Sequence, residues 1–393
     1  SDYNWGYNPL TYNSLHQAYC YGKEPYEQIN ELRDFISLCH KYGMGVTFDV
    51  VFNHVYNVKS FNLANMLPYY FFRYKDGKLG NASYCGNEVR TEAFFTREYL
   101  KLLVKRFIDI YDLDGYRFDL MGILDVETIE AIRDTARELK PDFLMYGEGW
   151  NMGDIVPFEY RAIKENAYKL EGVAFFNDDF RRTIRGNYID DKNAYMLGNV
   201  DARDRVKRVM SGSYEYGLNI NQTINYIECH DNYTVYDKVS RFFDDEKMVT
   251  RICKLSMALV MISMGIPFIN SGEEFLRTKH GIDNTYNLDD SINMLDWHRK
   301  NNYLDVARYF SDLCLLRKTY KEFTREDTSV EFIDYYEVLI YKLGDLTIYI
   351  NPCIFDHVYN DEMEHEVIFD DSGFVNYKRS VLKIKAFSIL ITK

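Results

Sequence analysis

Over its first two thirds the chain alternates short apolar runs with longer amphipathic ones, and that rhythm admits few folds. A strand that reaches the next strand only through a helix pairs with it in parallel, which points to an α/β domain. Ile29, Leu32, Ile36 and Cys39 recur at three- and four-residue steps and predict a helix over about 26–42, with Gly43 where a C-terminal cap belongs. Further helices are expected over about 96–112, 126–139 and 247–264. Strands are expected over 46–52, 115–121, 144–148, 173–176, 223–228 and 267–270. Six strands in this order predict a (β/α)8 TIM barrel whose first two strands are missing. After about residue 323 the pattern changes. Residues 338–343 and 346–350 flank Gly344-Asp345, a hairpin signal, and 382–392 alternate apolar with polar. The expected division is a catalytic barrel over 1–322, with a long insertion at about 55–95, followed by a small antiparallel, β-sandwich-like domain over 323–393.

Charge and cysteine usage narrow the partners. A formal net charge of −13 disfavours nucleic acid and anionic membranes and favours neutral substrates over acidic ones. No apolar run is long enough to cross a bilayer. The seven cysteines include no C-x-x-C pair, so free thiols and no structural zinc are expected. Free thiols and the lack of a signal peptide favour a cytoplasmic location, although the chain begins Ser-Asp-Tyr without Met and its N-terminus is expected to be missing. Oligomeric state is not readable. Aromatic residues make up 16% of the chain, which either supplies flat faces for sugar rings or reflects a compositional bias; composition leaves both open.

Four strand ends carry polar residues that a packed strand would avoid: Asp49 with Asn53 and His54, Arg117 with Asp119, Glu148, and Glu228 with His230 and Asp231. In a parallel barrel such ends converge on one face, where active sites are built. Arg117 and Asp119 stand two apart on a strand and point the same way, so the guanidinium is expected to hold the carboxylate ionised with a low pKa, as suits a nucleophile. Glu148 lies between Gly147 and Gly149 and is followed by Trp150. The glycines are expected to let a bulky ligand approach, and the indole to raise the carboxyl pKa, as suits a general acid. Two carboxyl groups tuned in opposite directions are what glycoside hydrolysis needs.

The strings FDVVFNH, GYRFDLMG, YGEGW and ECHDN resemble, in order, the four conserved regions of the α-amylase superfamily, glycoside hydrolase family 13. YNWGYNP (Tyr3 to Pro9) is similar to the YNWGYDP motif of its starch-debranching group, the type I pullulanases, and IPFINSGEEFLRTK and NTYNLDDSINMLDW also look like that group. The resemblance runs from Tyr3 to the C-terminal β-domain. It implies that Asp119 is the nucleophile, Glu148 the acid/base and Asp231 the third carboxylate, which stabilises the distorted sugar ring. It implies that His54 and His230 bind sugar hydroxyls, that Arg117 partners the nucleophile, and that Tyr7 stacks beneath the ring. Trp150 would line the leaving-group side, Asp290 would bind sugar hydroxyls, and Asp49 would buttress the site. Asn8 departs from the motif's Asp, and Cys229 stands where Ser is common.

The implied activity is retaining hydrolysis of α-1,6-glucosidic bonds in pullulan, glycogen or branched dextrins, through a glucosyl-Asp119 intermediate. An α-1,4-acting hydrolase or transglycosylase and a truncated, inactive glycan-binding remnant are the alternatives. No cofactor is required for the chemistry. The metal stays open: relatives commonly hold a structural Ca²⁺, and Asn53 sits where some of them ligate it.

Overall fold

The computed structural model describes residues 5–212 and 217–393, and the chain divides into two compact units, 1–176 and 177–393. Tyr3 and Asn4 of the YNWGYNP string lie outside the described residues.

The first unit is built on four strands that pair in parallel in chain order: β1 (Thr47–Val50), β2 (Gly115–Phe118), β3 (Leu144–Gly147) and β4 (Ala174–Phe176). The helices Pro25–Lys41, Phe94–Tyr111 and Val126–Leu139 alternate with them. The first helix opens on a capping box between Glu24 and Glu27, with Pro25 in its first turn, and Gly43 follows its end at φ +73. The third is capped by Asp125, whose side chain accepts from the Thr128 amide, and it buries Val126, Ile129, Ile132 and Ala136. Tyr116 and Phe118 of β2 are fully buried. Phe52 meets both edge-on, with ring centres 5.8 and 6.2 Å away.

The long segment after β1 carries its own small core. Val55, Phe61, Phe71, Phe72 and Val89 are buried together, and Tyr74–Lys75 and Lys78–Leu79 form a short hairpin. A buried arginine fastens this insertion to the unit. Arg73 donates to Glu92 Oε2 (2.8 Å), Thr91 Oγ1 (3.1 Å) and the Ile123 carbonyl (2.8 Å).

In the second unit β5 (Thr223–Asn225) and β6 (Ile266–Pro267) pair in parallel. Both are shorter than the expected 223–228 and 267–270, although the Phe268 amide still donates to the Asn225 carbonyl at 2.9 Å. Six antiparallel strands follow: β7 (Val330–Tyr335), β8 (Val338–Leu343), β9 (Leu346–Asn351), β10 (His357–Asp370), β11 (Gly373–Ile384) and β12 (Ser388–Thr392). They make one sheet in the order β11-β10-β12-β9-β8-β7. The expected Gly344-Asp345 turn joins β8 to β9, where Leu343 faces Leu346. A sandwich-like domain was expected; the strands instead form one continuous sheet, and register shifts in β10 at Asn360/His365 and Val367/Phe369 bend it.

One hydrophobic core holds the helices Glu246–Ile262 and Leu304–Thr319 together with Leu339, Tyr341, Ile348, Ile350 and Ile389 of this sheet. Residue 323 therefore marks where the antiparallel sheet approaches, inside the second compact unit. Among the described residues no helix is long and apolar enough to cross a membrane.

Arg73 is 3% exposed and Glu88 beside it 2%, so deleting the cation strands buried acceptors. Arg73→Leu is expected to lower stability by about 3–5 kcal/mol in chemical denaturation. A loss below ~1 kcal/mol would mean that the insertion is anchored elsewhere.

Candidate active site

The parallel register of the first unit decides which side chains meet. Asp49 stands opposite Arg117, and Arg117 opposite Tyr146. Asp119 and Glu148 each follow the last residue of their strand but extend the ladder: the Asp119 amide donates to the Val50 carbonyl (3.0 Å) and the Glu148 amide to the Phe118 carbonyl (3.1 Å). Both acids are thereby aimed past the carboxyl ends of adjacent strands.

Arg117, 7% exposed, joins the group. Its Nη1 donates to Asp49 Oδ1 (2.8 Å) and, more weakly, to Asp119 Oδ1 (3.4 Å). Its Nη2 lies 2.8 Å from Glu148 Oε1. The Tyr7 hydroxyl donates to Asp49 Oδ2, and the Tyr7 and Phe176 rings lie 5.8 and 5.7 Å from the guanidinium carbon. Burial, reinforced by Asp49, pushes the Tyr7 phenol far above its ordinary value, so it is a hydrogen-bond donor and not an acid.

Leu120 adopts the left-handed region, φ +42, which costs a side-chain-bearing residue. The turn brings its amide to Glu148 Oε2 at 2.9 Å. Asn53 holds the other carboxyl: its Nδ2 donates to both Asp119 Oδ2 and the Asp119 carbonyl, each 2.8 Å away. Its Oδ1 lies 2.6 Å from His54 Nδ1. His54 is 2% exposed and its Nε2 makes no hydrogen bond of ordinary geometry. Burial lowers its pKa, with a Tyr7 backbone contact acting the other way. The sequence marked Asn53 as a strand-end residue and missed its grip on Asp119; the signal was its place one residue before His54. Both ends of its amide are engaged here, and among the described residues no group of three or more His, Cys, Asp or Glu is placed to hold a metal ion.

Two expectations are corrected. The Asp119 carboxyl is not held low. Burial first, and then the Glu148 charge, push it up to about 7 against the pull of Arg117 and Asn53. The guanidinium that was to hold it ionised is shared among three carboxylates and sits closest to the other two. The glycines flanking Glu148 serve packing rather than ligand approach. A Cβ on Gly147 would lie 2.6 Å from the Phe118 carbonyl oxygen, and one on Gly149 2.5 Å from the Phe175 ring. The Lys164 ammonium lies 5.3 Å from the centre of the Trp150 indole.

The remaining candidates lie in the second unit. His230 Nε2 is 3.7 Å from Asp231 Oδ1, and the Asp231 side chain is 46% exposed. Asn232 follows at φ +60. The Cys229 thiol donates to the Asp231 carbonyl at 3.7 Å, and burial raises its pKa to about 11. It therefore stays protonated and supplies the donor that a serine hydroxyl would. Asp290 is exposed at the start of the short helix Asp290–Asn293, behind the capping residue Asp289. The structure thus gathers Tyr7, His54, Arg117, Asp119 and Glu148 in one unit, and His230 with Asp231 in the other.

No family model matches the chain. It is 33% identical over 400 residues to a pullulanase of Bacillus subtilis, covering 95% of this chain and 56% of that protein. It is 33% identical over 300 residues to pullulanase A of Streptococcus pneumoniae serotype 2, covering 73% of this chain and 24% of the relative. Among solved structures, type I pullulanase from Bacillus subtilis complexed with maltose superposes with a TM-score of 0.94 at 30% identity, covering 99% of this chain and 59% of that one. Pullulanase from Anoxybacillus sp. LM18-11 complexed with maltotriose gives a TM-score of 0.94 at 30% identity, covering 100% and 59%. The chain spans little more than half the length of the Bacillus subtilis relative.

The raised Asp119 carboxyl ties stability to pH. Its folded pKa exceeds the unfolded one, so its contribution is fully present below about 4 and is lost as pH rises toward 7. Asp119→Asn removes that penalty. It should stabilise the protein by at least ~1 kcal/mol at pH 8 in urea denaturation, and the gain should vanish at pH 4. An equal effect at both pH values would contradict the assignment.

Proposed function

We propose that the chain, over the part of them that it spans, belongs to the type I pullulanases of the α-amylase superfamily and hydrolyses α-1,6-glucosidic bonds in pullulan, glycogen or branched dextrins. The observation that carries the reading is the Arg117 bridge, with one guanidinium in contact with two carboxyl groups at the ends of adjacent parallel strands. We further infer that the parallel strands belong to a (β/α)8 barrel, in which such ends form one active face.

In the proposed reaction Glu148 gives its proton to the glycosidic oxygen while Asp119 attacks the anomeric carbon, and the bond to the leaving chain breaks. A water then attacks the glucosyl-Asp119 ester. The Glu148 carboxylate takes the water's proton, and Asp119 is released as a carboxylate. Burial of two acids around one shared cation favours retention of a single proton by the pair, which is what a general acid at neutral pH requires. The Leu120 amide donates to Glu148 Oε2 and holds that carboxyl in one orientation.

Asp231 is assigned as the third carboxylate and His54 and His230 as hydroxyl ligands, on the strength of the FNH and ECHDN strings. The burial of His54 beside Asn53, which holds Asp119, supports its part in this. Tyr7, Trp150 and Asp290 are assigned to sugar binding on the same resemblance. The substrate is a neutral α-glucan, in keeping with the net charge of −13.

Incubation with pullulan tests the reading, and maltotriose is the expected product. Panose would show α-1,4 cleavage, and no product would leave a binding remnant. Asp119→Asn, Glu148→Gln and Asp231→Asn should each lower kcat by about 10²–10⁴-fold. A fluorinated glucosyl inhibitor should label the peptide that contains Asp119.

A further inference from the structure

The loop that carries His230 and Asp231 is gripped from behind by one segment, residues 266–283, at two points. At its ends, Glu228 is 1% exposed, and its carboxylate accepts from the Val235 amide (2.6 Å) and from Asn270 Nδ2 (2.9 Å). At its middle, the ammonium of Lys279 donates to the backbone carbonyls of His230 (3.0 Å) and Asn232 (2.7 Å), the two neighbours of Asp231. A third bond, to the Asp283 carbonyl at 2.8 Å, ties the ammonium to its own segment. Lys279 is 2% exposed, although lysine is rarely buried unless its charge is met. Here three N–H groups meet three carbonyl oxygens, an arrangement that resembles the carbonyl cage of a metal ion. The Lys279 backbone is itself fixed, since its amide donates to Asp237 Oδ2 at 2.8 Å.

The bond to the Asn232 carbonyl matters most. Asn232 lies in the left-handed region, and a non-glycine residue keeps that conformation only where its surroundings over-determine it. Its carbonyl is held by Lys279 and its side chain accepts from Arg181 at 3.1 Å. The Asp231 side chain, by contrast, is 46% exposed and 3.7 Å from its nearest ionic partner, so little of its placement comes from its own contacts. Its direction is set by the backbone on either side of it.

We propose that Lys279 is a positioning residue for Asp231: its buried ammonium clamps the carbonyls flanking the third carboxylate and fixes the direction of that side chain. This rests on the reading of Asp231 as a participant in glycoside cleavage. Lys279 touches no reacting atom in this scheme and acts through the loop alone.

The test compares wild type, Lys279→Met and Lys279→Arg for pullulan kinetics, thermal stability and amide hydrogen exchange over residues 229–234. Methionine keeps the length and removes the donors. In Lys279→Met, kcat should fall about 10²-fold, as for a misplaced catalytic group, with KM changed less than about threefold. Exchange over 229–234 should quicken, while exchange in the helix Glu246–Ile262 stays unchanged. A structural role alone would lower the melting temperature and leave kcat intact below it, and that outcome overturns the proposal. If Lys279→Met does not fold, Lys279→Arg decides, because it keeps the charge but not the tetrahedral spread of donors. A kcat loss of about tenfold or more supports the clamp; a kcat within twofold of wild type refutes it. Should the wild type fail to cleave pullulan, the reading of function falls, and the exchange comparison still decides whether Lys279 holds the loop.

Discussion

One cation governs the candidate site. Arg117 has two terminal nitrogens for three carboxylates, and it sits nearest to Asp49 and Glu148. A buried guanidinium can neutralise about one negative charge, so a pocket holding three acids keeps a proton as the cheapest remaining remedy. The raised Asp119 carboxyl thus follows from its burial first and from the charge of Glu148 second. The same arithmetic explains why Tyr7 donates to Asp49: the carboxylate most exposed of the three gains a neutral donor rather than a second cation.

The cation can reach all three acids only because the strands are in register. Asp49 faces Arg117 across β1 and β2, and the ladder continues past the strand ends through the Asp119 and Glu148 amides. A shift of one residue in any strand would turn its acid into the wall and its apolar neighbour into the pocket. Close strand packing sustains that register. A Cβ at Gly115 would lie 2.5 Å from the Leu144 carbonyl oxygen, and one at Gly122 1.9 Å from that of Trp150. Neither position admits a side chain without moving the backbone that carries an acid.

Much of this was legible in the sequence. Periodicity located the helices, and the helix over 126–139 coincides with Val126–Leu139. Polar residues at the ends of apolar runs located the acids, because a buried strand has no other use for Arg117, Asp119 and Glu148. What failed were inferences from one neighbour to another. The Arg117–Asp119 spacing implied a depressed pKa, but the sequence could not reveal that Asp49 and Glu148 compete for the same guanidinium. Gly147 and Gly149 suggested room for a ligand, but the room is filled by Phe118 and Phe175 from adjacent strands. The grip of Asn53 on Asp119, and Lys279 altogether, escaped notice because their work is done on partners 66 and 47–49 residues away. Pairwise spacing carries no trace of such contacts.

The antiparallel sheet carries a consequence for biosynthesis. β12 is the last of its six strands in sequence, yet it lies between β10 and β9, with all five residues buried. As the chain emerges from a ribosome, the meander β7-β8-β9 and the hairpin β10-β11 can each form, but the gap between them stays open until residues 388–392 are free of the exit tunnel. During that interval two apolar strand edges face solvent, and the shared core with the helix Glu246–Ile262 lacks Ile389 and Ile391. The second unit therefore closes late and from its middle, like an arch awaiting its keystone. The second unit is most vulnerable to misassociation in the interval before residues 388–392 join it.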